Sequence, residues 1–162
     1  MTTVIYFFLM SVIFFVVPQL AVKFFTKEVK IDKSIIYLFF AFCLPLIWVF
    51  LPKEVVTLRE VNFIQHAVGG GVAVSFVAIY LIKNFRQKFE IFDYFLFQLV
   101  FVFALVSMLG VINELFEFVL DTYKIGVFSS DRYDTWYDLV ANTSGAMSLF
   151  LIYSLFRKLT HF

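Results

Sequence analysis

Charge is what this chain has least of. Only 15% of its 162 residues are Asp, Glu, Lys or Arg, and 62% are hydrophobic. An ordinary soluble domain carries roughly 25% charged and about 45–50% apolar residues. A globule of this length has too little interior to hide the excess. A water-soluble enzyme and a disordered tail are thereby excluded. Cysteine is nearly missing too: Cys43 stands alone, which excludes an intrachain disulfide framework. It lies in an apolar stretch and reads as a small packing residue. No surplus of one sign exists either. Thirteen basic residues face twelve acidic ones, for a formal net charge of +1, so no nucleic-acid partner is expected. What abounds is phenylalanine, 25 in all, which suits contact with acyl chains.

Five stretches lack charge for long enough to cross a hydrocarbon core of about 30 Å, which takes roughly 17–25 helical residues. They cover 1–22, 34–52, 61–82, 94–113 and 139–156. The fourth is expected to continue as helix to about Asp121. Lipid cannot satisfy an open strand edge, so the spans must be helical. The expected fold is an all-α, polytopic membrane bundle of about five helices forming one domain over 1–162, with Pro45 kinking the second span. The first span has no basic start and no small-x-small cleavage site, and reads as a retained helix rather than a signal peptide.

Alternating loops place Lys23, Lys27, Lys30, Lys33, Lys83, Arg86, Lys88, Arg157 and Lys158 on one side. Lys53, Arg59, Lys124 and Arg132 fall on the other. The positive-inside rule makes the first side cytoplasmic, the N-terminus external and the C-terminus internal. Eight of the twelve acids then lie outside, as do Trp48, Trp136, Tyr123, Tyr133 and Tyr137, an aromatic belt consistent with that assignment.

The polar residues share faces. At 100° per residue, Ser107, Gly110, Glu114, Glu117 and Asp121 fit within an arc of roughly 80° on the fourth helix. Asp134, Asp138, Ala141, Asn142, Gly145 and Ser148 line the last helix, and Asn62, His66, Gly69, Gly70 and Ala73 line the third. Each stripe is acidic or hydrogen-bonding at its outer end and small at depth. Small residues let membrane helices approach closely, so the three stripes are expected to meet and their polar ends to converge near the outer surface.

Against this stand plainer readings. Asp121, Asp131 and Asp134 fit solvated loop acids, and Asn62, Ser107 and Ser148 fit interhelical hydrogen bonding. Arg59 and Arg132 suit either lipid headgroups or bidentate binding of an anionic substrate. His66 and Glu114 lie deeper, where an ionisable group is costly and marks a functional position by default.

Several carboxylates with one histidine and one asparagine match a hard divalent cation, Mg²⁺, Mn²⁺ or Ca²⁺, better than zinc. The same groups could instead form a general acid/base pair without a metal. The expected ligands are Glu114, Glu117, Asp134 and Asp138. The expected catalytic set is His66, Glu114, Asp138 and Asn142, with Asn62, Arg59 and Arg132 on the substrate. Motifs of familiar membrane enzymes fail: Asn142 stands where a rhomboid-type Gly-x-Ser-Gly needs glycine, and no lipid-phosphatase Pro-Ser-Gly-His element exists.

The segment from Asn62 through His66 to Gly69-Gly70-Gly71 resembles the histidine–glycine helix start of VanZ-like and YjdF-type membrane proteins. Asn113-Glu114-Leu115-Phe116-Glu117, followed by the Asp134-x₃-Asp138-x₃-Asn142-x₂-Gly145-Ala146 helix, resembles their second signature. The resemblance covers the last three helices. It implies a small multi-pass protein of the bacterial inner membrane, and carries over His66, Glu114, Glu117, Asp134, Asp138, Asn142 and Gly145.

The expected function is metal-assisted hydrolysis or group transfer on a lipid-linked or amphipathic anionic substrate. Alternatives are a non-enzymatic binding or accessory subunit of a membrane complex, and an ion or proton carrier. The expected partners are the bilayer and a lipid-linked substrate or another membrane subunit, and a homo-oligomer is compatible with so small a bundle.

Overall fold

The computed structural model describes residue 9 and residues 12–27, 33–49, 59–123 and 134–159. All regular structure among them is helical. A π-helical turn at Val12–Val16 leads into α1 (Val17–Thr26), and α2 covers Ile35–Val49. The third helix is built in three parts without a break: α3 (Arg59–Gln65), a π-helical segment (His66–Val72) and α4 (Ala73–Phe85). A short 3₁₀ turn (Glu90–Asp93) precedes α5 (Phe95–Thr122), and α6 (Asp134–Leu159) ends the described chain.

Three of these helices are long and apolar enough to cross a membrane: Glu60–Phe85, Phe95–Val119 and Thr135–Leu159. The rows of exposed apolar side chains on α5, including Phe103, Met108, Ile112, Leu115 and Phe118, would be untenable against water and suit lipid. The described parts of the first two expected spans, Val12–Thr26 and Ile35–Ile47, are shorter apolar helices, each below the length that crosses about 30 Å. Their remainders, 1–8, 10–11 and 50–52, lie outside the described residues, as does the loop carrying Asp131, Arg132 and Tyr133.

Several boundaries differ from the sequence expectation. The last helix starts at Asp134 rather than 139, because charge marks the edge of hydrocarbon and not the edge of helix. The third runs on to Phe85. The fourth continues past its apolar limit to Thr122, and α2 continues through Pro45.

The third helix is central. Two thirds of its span (67%) is buried inside the bundle, against 22% for each of the other two. Nearly every residue of α4 is buried, from Ala73 to Phe85, with α1, α2, α5 and α6 packed around it. At one end the aromatic rings interlock: Phe92 meets Phe97 edge-on at 4.9 Å and Phe101 at 5.2 Å, and Phe85 lies 5.4 Å from Phe92. The buried polar groups at that end are satisfied. Asn84 Nδ2 donates to the Tyr80 carbonyl at 2.8 Å, and Gln98 Nε2 donates to the Phe92 carbonyl.

Candidate metal centre

The opposite half of the central helix meets α5 and α6 through glycine. The segment His66–Val72 carries Gly69, Gly70 and Gly71, which have low α-helical propensity and no side chain to hold the coil tight. It adopts the wider π-helical winding, which recurs at functional sites. Its backbone comes close enough to α6 that side chains on either would collide. A Cβ at Gly70 would overlap Asn142 Oδ1, and one at Gly71 would overlap the Asn142 carbonyl oxygen. In return, a Cβ at Gly145 would overlap the Ala67 carbonyl oxygen. Gly110 brings α5 against Leu139 and Asn142 from the third side. The three small stripes therefore meet. One further bond fastens the joint: Ser75 Oγ, fully buried, donates to the Ala146 carbonyl at 3.2 Å.

One helical turn towards the other end of this joint, His66, Glu114 and Asp138 come together. One ligand atom from each lies within 4.8 Å of the other two. His66 Nε2 is 3.4 Å from Asp138 Oδ2, with the imidazole side chain 17% exposed and the carboxylate 4%. Asn62, one turn before His66 on the same helix, donates from Nδ2 to Asp138 Oδ1 at 3.3 Å. Each oxygen of Asp138 thus has its own neighbour: Oδ1 is held by the amide and Oδ2 faces the imidazole.

The layer beneath is Gly70, Gly110 and Asn142: Gly70 and Asn142 lie four residues after His66 and Asp138, and Gly110 four residues before Glu114. Asn142 is buried and fills the space that two glycines leave. Its Oδ1 has no hydrogen-bond partner, and neither does the buried Oε1 of Gln65, the neighbour of His66. A buried acceptor without a partner is completed by a donor or a cation.

Placement of the expected residues follows from this geometry. His66, Glu114 and Asp138 are brought together. His66, expected among the catalytic residues, lies beside the two carboxylates. Asn62, expected on the substrate, holds Asp138. Asn142 packs one turn below the cluster. Glu117 falls outside the group of three and accepts a hydrogen bond from Asn113 Nδ2 at 2.8 Å. Asp134 and Arg59 begin their helices, but their side chains lie outside the described residues, as does Arg132 altogether. Gln65 was missed by the stripe argument, because it sits roughly 100° around the helix from His66.

Chemically, one imidazole nitrogen and two carboxylates with open positions can hold a divalent cation, whose bonds to such ligands run about 2.0–2.6 Å. The three candidate ligand atoms lie within 4.8 Å of one another, around a common centre. No family model, curated protein or solved structure matches the chain.

Proposed function

We propose that the protein is a multi-pass membrane enzyme that hydrolyses or transfers a lipid-linked or amphipathic anionic substrate at a divalent cation held by His66, Glu114 and Asp138. The observation that carries this reading is the convergence of those three side chains from three different helices. Two carboxylates side by side repel, and a bound cation, Mg²⁺, Mn²⁺ or Ca²⁺, offsets that repulsion. When bound, such a cation would also lower the pKa of a water and stabilise charge developing on the substrate.

In this proposal Asn62 fixes the rotamer of Asp138, as outer partners of metal ligands do. Glu114 accepts the proton of the attacking water. Asn142 closes the floor of the site. Arg59 shares a helix face with Asn62 and His66 by register, two turns from the imidazole, and suits the anionic part of the substrate. The distribution of basic residues supports five crossings with the site end outside. The resemblance to VanZ-like proteins across the last three helices supports placement in a bacterial inner membrane.

The test is turnover by the purified chain on a panel of envelope lipids and lipid phosphates, with and without added divalent cation. Cation-dependent turnover that Glu114→Gln abolishes is the expected result. Equal background rates for the parent and the variant would overturn the enzymatic reading and leave a binding or accessory protein.

A further inference from the structure

A second feature lies at the far end of the bundle and does not depend on the metal centre. On α1, Leu20, Lys23 and Phe24 occupy one face, within an arc of roughly 100° at 100° per residue, and Lys27 caps the helix end in a left-handed conformation. All four are exposed, Leu20 at 57% and Phe24 at 67%. The Lys27 ammonium lies 5.1 Å from the centroid of the Phe24 ring. The turn after α4 adds a third cation: Lys88 Nζ donates to the Thr26 carbonyl at 3.2 Å, beside Lys27. Phe25 packs edge-on to Phe85 at 5.7 Å and fixes α1 against the central helix.

Among the described residues, none of these three lysines is paired with a carboxylate. The nearby acid Asp93 is already engaged by Arg86. The end of α1 thus presents three ammonium groups next to an uncovered apolar strip. Lysine at a helix C-terminus is favoured by the helix dipole, and Lys88 adds a cation from another segment by donating to the Thr26 carbonyl.

We infer that Lys23, Lys27 and Lys88 form a binding site for the phosphodiester of an anionic phospholipid, whose acyl chains lie along Leu20 and Phe24. Phosphate takes charge-assisted hydrogen bonds from the ammonium groups, and basic groups at helix ends near the membrane surface bind acidic headgroups. The apolar strip selects a lipid over a free anion.

The full chain in neutral detergent is titrated with phosphatidylglycerol, phosphatidylcholine and inorganic phosphate, reading the thermal midpoint and the lipid adducts retained in native mass spectrometry. Phosphatidylglycerol should raise the midpoint and remain bound, and the other two should do neither. Each of Lys23→Gln, Lys27→Gln and Lys88→Gln should weaken phosphatidylglycerol binding roughly fivefold, and Lys158→Gln should leave it unchanged. Equal responses to the two lipids, an equal shift with inorganic phosphate, or full adduct retention in the three single variants would overturn the inference. Using single variants keeps the chain folded, and retained adducts report binding even where stability changes.

Discussion

His66 Nε2 faces Asp138 Oδ2 at 3.4 Å across the joint between the central helix and α6, while Asn62 holds the other oxygen of the same carboxylate. One aspartate therefore links two positions of one helix to another helix, and its orientation is set before any ligand arrives.

If Asn62 positions Asp138 for a cation, Asn62→Ala should lower divalent-cation affinity by about 10–100-fold, the usual effect of removing an outer partner of a ligand. Calorimetric titration checks this. The thermal midpoint without added cation should move far less than the affinity does.

The glycines of the joint should not respond alike to a methyl group. At Gly71 and Gly145 the new Cβ meets backbone atoms of the neighbouring helix, which cannot move aside alone. Gly71→Ala and Gly145→Ala should each destabilise by about 1–3 kcal/mol, the range for overpacking. At Gly110 the nearest atoms are side-chain ends at 3.1 Å and 3.4 Å. There the gain in helix propensity, about 1 kcal/mol, should leave Gly110→Ala close to neutral. Unfolding in detergent ranks the three.

Gly70 and Asn142 should be coupled. A Cβ at Gly70 overlaps only the end of the Asn142 side chain, so truncating Asn142 opens the space it needs. Gly70→Ala made in an Asn142→Ala background should be milder than in the parent. A double-mutant cycle should return a coupling of about 0.5–3 kcal/mol, as for residues in contact. Additive effects would show that the two do not compete for one space.

Ser75→Ala removes a buried donor from the Ala146 carbonyl. Interhelical hydrogen bonds in membranes average about 0.6 kcal/mol, and a loss of that order is expected. A loss several times larger would mean that the serine holds the glycine joint in register.

Much of this arrangement was legible before any coordinates. Charge depletion marks five stretches, and three of them are helices long and apolar enough to cross a membrane; the period of 3.6 puts Glu114 over Gly110 and Asp138 over Asn142. The small residues of the His66–Gly70 stripe mark a face open to close approach. Three things were not legible. The π-helical winding of His66–Val72 was one, because three consecutive glycines loosen the α-helix without specifying the winding that replaces it. The exclusion of Glu117 depends on which way a side chain turns at the edge of the arc, where Asn113 captures it. The outer partner of Asp138 could not be read either, because Asn62 lies on a different helix and spacing does not say which helices are neighbours.

The central claim is that His66, Glu114 and Asp138 hold one divalent cation. Equilibrium binding of Mn²⁺ to the purified full-length protein, followed by electron paramagnetic resonance and repeated by competition with Mg²⁺, Ca²⁺ and Zn²⁺, tests it most directly. One equivalent per chain is predicted for the parent and for Glu117→Gln, with binding lost in His66→Ala, Glu114→Gln and Asp138→Asn. No saturable binding in the parent, or parent-like affinity in Asp138→Asn, would contradict the account.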